Sequence, residues 1–158
     1  MDKAKKVRAF ISLFEYFRYA ETMRYWFNFH ATDPTTVSED PSQFPEVIDP
    51  RAHGDAVLGM LWSATMYVVI EGWRKLKLRD LKIDHLLESE NVDILRRFRN
   101  VTYHYQLDHI RDPRFQALMN PDRLLWKGIL SQAFREFFGR QNDADSEYAR
   151  WLNDSERP

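Results

Sequence analysis

The segment from Arg99 to His104 carries the residue types that can cleave a phosphodiester bond without a metal ion. A histidine transfers protons near neutral pH because its unperturbed pKa is about 6.5, and an arginine presents a fork of donors that suits a phosphate. RNA cleavage needs a proton-transfer group and a fixed cation for the charge that grows on the phosphate. We therefore predict His104 as the proton-transfer group, Arg99 as the phosphate stabiliser and Asn100 as a positioning donor.

The spacing of these residues permits a shared site without requiring one. If the segment is helical, the Arg99 and His104 side chains are rotated by about 140° around the helix axis. The two side chains would then not stack on one face, although an arginine is long enough to reach back. A joint site therefore depends on how the surrounding helices place this segment.

Arginines are concentrated around the same segment. Residues 96–114 contain five arginines and two aspartates, a local charge of about +3 in a chain whose net charge is −1. The five are Arg96, Arg97, Arg99, Arg111 and Arg114. Because arginine is suited to phosphate, Arg96 and Arg97 are predicted to bind the RNA backbone. Surface ion pairs with acidic residues elsewhere explain the same pattern equally well.

Three further residues are predicted to support the segment: Glu71, Tyr105 and Asp108. Glu71 continues an apolar stripe, so we expect it to be buried and paired with a cation such as Arg99. Such a pair would either stabilise the fold or orient the arginine in the site, and the sequence leaves both roles open. Asp108 follows His104 by four residues and could orient the imidazole on a helix, or form an ordinary surface pair. Tyr105 adjoins His104.

The composition excludes several other chemistries. The chain has no cysteine, which excludes disulfides, a thiol nucleophile and a cysteine-based zinc site. No two of its five histidines have the i, i+4 spacing of a helical zinc site, and its five glycines form no phosphate-binding loop. We therefore predict no metal and no cofactor. The sequence shows no secretion signal and no run of about 18 uncharged apolar residues, so we expect a cytoplasmic protein without a membrane span.

Apolar residues recur at three-and-four spacing, which predicts an all-α bundle of four main helices with short extra helices. The 158 residues fit one domain with a core over about 5–140. The main helices are predicted at 4–31, 55–79, 92–109 and 121–138, with a proline-rich loop at 32–52, a short helix or turn over Asp80–Glu88 and a tail helix at about 143–153. Predicted caps are Asp84, Asn91 and Asn120 at N-termini and Gly139 at a C-terminus.

The first helix carries two apolar stripes, more than one core can cover. The first contains Phe10, Leu13, Phe14, Phe17, Ala20 and Phe27, interrupted by Arg24, and the second contains Tyr16, Tyr19, Met23 and Trp26. The inner face of the second helix is predicted at Val57, Met60, Leu61, Ala64, Tyr67 and Val68, and that of the fourth at Leu124, Leu125, Ile129, Ala133, Phe134, Phe137 and Phe138. The surplus apolar surface predicts a homodimer with twofold symmetry.

Arg99, four intervening residues and His104, with polar Asn100 after the arginine, resemble the RX4-6H motif of HEPN domains. The resemblance covers roughly residues 5–140. It implies a HEPN-like helical bundle and, as in many members, a metal-independent endoribonuclease whose homodimer lines a shared cleft with both motifs. Members act in toxin–antitoxin and phage-defence systems, and others have lost catalysis. One toxin branch has Tyr two residues after the histidine, where this chain has Gln106.

Two hypotheses follow for the function. The first is a metal-independent endoribonuclease that binds RNA through this segment, in a toxin or phage-defence system. The second is a non-catalytic homodimeric binding or adaptor protein in which the same residues are structural. A catalytic site requires Arg99 and His104 to converge in an open cleft, whereas an adaptor would hold them in fixed pairs. The sequence names no protein partner.

Overall fold

The computed structural model describes residues 3–32, 50–104 and 120–141, which form helices joined by short turns, with no strand in these ranges. The helices are α1 (Lys3–Thr32), α2 (Pro50–Leu76), α3 (Leu81–Leu86), α4 (Asn91–Tyr103) and α5 (Pro121–Gln141). The predicted all-α bundle of four main helices is confirmed. In the described part of the chain, no helix is both long enough and apolar enough to cross a membrane. The predicted tail helix lies outside the described residues, as does nearly all of the predicted loop.

Helix α2 is the central element of the bundle. Six consecutive residues, 62–67, are buried, and six residues of an α-helix go more than once around its axis. A helix buried on every side must be covered by several neighbours. α1 and α4 both pack along α2, and α5 reaches it through aromatic contacts.

The core joins α1, α2 and α5 through large aromatic rings. Trp73 on α2 packs edge-on against Phe137 with a centroid distance of 4.7 Å, and Phe17 on α1 stacks on Phe138 at 5.1 Å. The predicted first stripe of α1 is confirmed, because Leu13, Phe17, Ala20 and Phe27 are buried. Rings of this size bury large apolar areas, so they determine which face of α5 points inward.

That face of α5 differs from the predicted one. Leu125 and Ile129, both predicted to face inward, are 65% and 42% exposed. The buried positions are Lys127, Leu130, Ser131, Ala133, Phe134, Phe137 and Phe138. Packing of Phe134 and Phe138 against Phe17 rotates the inner stripe. The rotation brings Lys127 into the interior in place of Leu125.

The ends of α2 and the start of α3 also differ from the sequence-based boundaries. α2 begins at Pro50, since proline suits the first helical position, and ends at Leu76 rather than 79. Lys77 adopts a left-handed φ of 54°, and the Leu78 N–H donates to the Trp73 carbonyl at 3.2 Å, a Schellman-type end. Asp80, not Asp84, is the N-cap of α3.

The Asp80 carboxylate accepts the backbone N–H groups of Lys82 and Ile83 at 3.0 and 3.1 Å. Asp84 lies in the first turn of α3 and instead accepts the Trp73 indole N–H at 3.1 Å. This bond ties α3 to the central helix, which a purely local reading of the sequence cannot indicate.

The predicted caps of the last two helices give a mixed result. The predicted cap at Asn120 is confirmed, because its side-chain oxygen accepts a hydrogen bond from the Asp122 N–H at 2.9 Å. Asn91 is the first residue of α4 rather than its cap, and its N–H donates to the Ser89 hydroxyl at 3.2 Å. Gly139 does not end α5, which continues to Gln141. Both differences are within the one or two residues over which helix ends fray.

Candidate functional site

Helix α4 presents a buried face to α2 and its charged face to solvent. Val92, Leu95, Phe98 and Val101 are buried at three-and-four spacing, the pattern of an amphipathic helix. The polar residues of the candidate site lie between these positions, so they are excluded from the core. Asn100 and Arg97 are exposed, and Arg99 is half-buried at the edge of the packed face.

Arg99 is held in place by two residues of α2. Its Nη2 donates to Glu71 Oε1 at 3.0 Å, and its guanidinium carbon lies 5.3 Å from the centre of the Tyr67 ring. Its Nε is buried and has no hydrogen-bond partner among the described residues. A salt bridge on one side and an aromatic face on the other restrict the arginine, which is 31% exposed. Tyr67 was predicted only as a core residue, and the structure adds it to the site.

The predicted pairing of Glu71 with a cation is confirmed, but its predicted burial is wrong. The Glu71 side chain is 45% exposed. It lies one turn beyond buried Tyr67 on the α4 side of α2, where the neighbouring helix no longer covers it completely. The carboxylate therefore keeps part of its hydration while it contacts Arg99, and the pair avoids most of the free energy of desolvation.

His104 is not part of a helix, in contrast to the predicted helix over 92–109. α4 ends at Tyr103, and His104 is extended, with φ −128° and ψ 132°. Its N–H donates to the Asn100 carbonyl at 3.0 Å, and its side chain is exposed. Val, Thr and Tyr at 101–103 are weak helix formers, so the last turn has little intrinsic tendency to continue.

This ending changes the geometry that the sequence predicted. The helical rotation of about 140° between Arg99 and His104 no longer applies, because the chain leaves the helix axis at His104. Tyr105, Asp108, Arg111 and Arg114 lie outside the described residues.

Two of the three described arginines near the segment form ion pairs. Arg96 pairs with Asp93 through a bond of 3.1 Å, and Arg99 pairs with Glu71, as expected for surface ion pairs. The Arg96–Asp93 pair, whose side chains are 47% and 63% exposed, contributes little stability. Arg97 is exposed beside them. The end of α4 therefore places three arginines, Asn100 and His104 on one accessible segment.

A charged residue that was not predicted from the sequence lies at the centre of the bundle. Lys127 on α5 is 1% exposed. Its ammonium donates to the Ser63 hydroxyl at 2.8 Å and lies 3.7 Å from the centre of the Trp62 ring. Lys127 precedes Leu130, Ser131 and Phe134 by three, four and seven residues. That position on the apolar stripe was the signal that could have identified it.

No group of three metal-ligating side chains occurs within residues 3–32, 50–104 and 120–141. Two features of the described structure therefore carry chemistry: the arginine and histidine segment at the end of α4, and the buried lysine between α2 and α5. Comparisons with known protein families, with characterised proteins and with solved structures give no match for this chain.

Proposed function

We propose that this protein is a metal-independent endoribonuclease whose site is the end of α4. The observation that carries the proposal is the restrained Arg99, whose guanidinium is fixed by Glu71 and Tyr67 five residues before an exposed histidine. A cation that is already oriented stabilises a transition state without reorganising during the reaction. Glu71 and Tyr67 act here as positioning residues.

The chemistry assigns one role to each side chain. His104 transfers the proton of the RNA 2′-hydroxyl, or protonates the leaving 5′-oxygen. The 2′-oxygen attacks phosphorus, the bond to the 5′-oxygen breaks, and the products are a 2′,3′-cyclic phosphate and a 5′-hydroxyl. Arg99 stabilises the negative charge on the phosphoryl oxygens, and Asn100 donates a hydrogen bond. Arg96 and Arg97 bind neighbouring phosphates.

The direct experiment incubates the purified protein with single-stranded RNA and with tRNA in EDTA. We expect cleavage with cyclic-phosphate ends and none of DNA, which lacks the attacking hydroxyl. His104→Ala should reduce the cleavage rate by about 10²–10⁴, the usual size of a general acid–base contribution. The matched control is His85→Ala, since His85 is 83% exposed on α3 and outside the segment. Absence of RNA cleavage, or equal cleavage by both variants, refutes the proposal.

The Arg99 contacts allow a sharper test of positioning. Arg99→Lys keeps the positive charge but removes the fork of donors, so we expect the rate to fall nearly as far as in Arg99→Ala. Glu71→Gln keeps the size of the side chain and weakens the restraint on Arg99. We expect it to lower kcat more than it raises KM. A rise in KM alone would assign Glu71 to substrate binding.

The second candidate function is that of a non-catalytic homodimeric adaptor, and the exposed aromatic surface of α1 favours it. Large aromatic side chains of α1 are between 44% and 59% exposed: Tyr16, Tyr19, Tyr25 and Trp26. Aromatic residues are enriched at protein–protein contacts, and the sequence analysis predicted that a second subunit covers this helix. Under this alternative, the Arg99–Glu71 pair is structural.

The oligomeric state tests this second candidate. Sedimentation at micromolar concentration should give about twice the chain mass of 19.0 kDa. Replacing Tyr16 and Tyr19 by Ser should shift the protein to the monomer, whereas replacing exposed Arg8 and Lys75 by Ser should not. A monomeric parent at this concentration rules out a homodimeric adaptor. A dimer that cleaves no RNA favours it over the ribonuclease.

A further inference from the structure

Lys127 differs from the other charged groups of the described bundle because it is buried without a carboxylate. Its only polar partner in that part of the chain is the Ser63 hydroxyl at 2.8 Å. Ser63 donates in turn to the Gly59 carbonyl at 2.7 Å, so its hydroxyl is already committed. A buried lysine normally either pairs with an acid or loses its proton. Among the described residues, Lys127 therefore has one hydrogen-bond partner and no carboxylate partner.

Among the described residues, the space beside Lys127 can hydrate an ammonium ion only poorly. A cavity of about 10 Å³ lies beside it, lined by Asn91, Ile94, Leu95, Arg123 and Trp126. Such a volume holds about one water molecule. The Trp62 face at 3.7 Å favours the charged form, but desolvation opposes it more strongly. Burial lowers the pKa of the Lys127 ammonium to about 7.

The charged groups that face this region do not compensate for the missing acid. From α5, Arg123 lines the same small cavity and is itself a cation. From α4, the cavity is lined by neutral Asn91, and from α2 the neighbours are Ser63 and Trp62. From α1 and α3, Arg24 and Lys82 line the groove that also contacts Trp62. Their acids, Glu21 and Glu136, are bound to them in ion pairs.

We propose that Lys127 is a protonation switch for the contact between α2 and α5. The neutral amine donates a hydrogen bond to the Ser63 hydroxyl and packs against the face of Trp62. Binding a proton places an unpaired charge there, which loosens the packing of α5 on α2. The inference does not rest on the proposed ribonuclease site, because the hydrogen bond and the ring contact of Lys127 are made with Ser63 and Trp62 of α2.

The direct test is a titration of the folded protein labelled with ¹³C at the lysine Cε carbons. We expect one lysine signal to titrate near pH 7. The signal should be missing in Lys127→Met and present in Lys75→Met, which replaces an exposed lysine of α2. If all lysines titrate above pH 9, the proposal is wrong.

The coupling to packing is tested by chemical unfolding at several pH values. The folded pKa lies below the unfolded one, so the unfolded chain binds more protons and stability rises with pH above about 7. Relative to Lys127→Met, the unfolding equilibrium constant of the parent should fall by about 100-fold from pH 6 to pH 9. Lys75→Met should follow the parent.

Two further outcomes keep this test decisive. Parallel pH profiles for the parent and Lys127→Met would overturn the switch. If Lys127→Met does not fold, Lys127→Gln provides the comparison, and the titration of the parent still decides whether a lysine loses its proton near pH 7. Amide hydrogen exchange over residues 127–134, corrected for the intrinsic pH dependence, should be faster at pH 6 than at pH 8. Equal corrected rates would contradict loosening of α5.

Discussion

Two charged residues on apolar helical stripes behave in opposite ways in this bundle. Glu71 was expected to be buried, yet its side chain is 45% exposed and bonded to Arg99. Lys127 was not singled out from the sequence, yet it is 1% exposed and has no acidic partner in the described ranges. An apolar stripe in the sequence indicates which side of a helix is apolar. The packing of the neighbouring helices determines which residues of that stripe are buried.

The largest expected effect is at Lys127. Methionine has a similar shape and no charge, and Ser63 still donates to Gly59 after the substitution. Lys127→Met should therefore raise the free energy of unfolding at pH 6 by about 3–5 kcal/mol, from a pKa difference of roughly 3.5 units at 1.36 kcal/mol each. Urea denaturation measures it. A destabilised variant at pH 6 would show that the charged lysine is well accommodated.

Glu71 should show a much smaller effect than a buried charge would. For a pair whose members are 45% and 31% exposed, Glu71→Ala is expected to reduce the free energy of unfolding by about 1 kcal/mol. Removing one partner of a fully buried pair reduces it by about 3–5 kcal/mol. A double-mutant cycle with Arg99→Met isolates the interaction. A loss above about 3 kcal/mol would mean that the pair behaves as a buried one.

The salt concentration should affect the stability contributions of Glu71 and Lys127 differently. Raising NaCl from 0.1 to 1 M shortens the screening length from about 10 to about 3 Å. We expect the reduction in the free energy of unfolding caused by Glu71→Ala to become smaller by roughly half, because the Glu71–Arg99 pair is in contact with water. The difference between Lys127→Met and the parent at pH 6 should stay nearly constant, since Lys127 is 1% exposed and buried charges are screened much less than exposed ones. Equal salt dependence at both sites would remove the contrast between them.

The smallest effect is expected for the surface pair Lys82–Glu136, which is joined at 2.9 Å and whose side chains are 52% and 41% exposed. The Lys82 hydrogen bond, with a second from Gln132, lowers the pKa of the Glu136 carboxyl. A lowered folded pKa gives stability above the unfolded pKa that is lost as the pH falls through the folded one. Glu136→Gln should therefore lower Tm slightly at pH 7 and not at all at pH 2. A Tm loss as large as that of Glu71→Ala would contradict the ordering by exposure.

The candidate site was predictable in its residue types but not in its geometry. The local sequence identified Arg99, Asn100 and His104, and the stripe argument correctly paired Glu71 with a cation. The end of α4 at Tyr103 was not predicted, because weak helix formers at 101–103 permit either outcome. Tyr67 was not assigned to the site, since a contact between its ring and Arg99 depends on the crossing of two helices.

The sequence by itself determined the number of main helices, the buried stripe of α1 and the Asn120 cap, because these depend on residues close together in the chain. Local spacing controls the helical period and the hydrogen bonds of a helix start. Only the tertiary structure decided that Leu125 is exposed, that Asp84 bonds to Trp73 and that Lys127 is buried. Each of these depends on which surfaces of separate helices meet, and the packing of Phe17, Trp73 and Phe138 selects that arrangement by burying the largest apolar area.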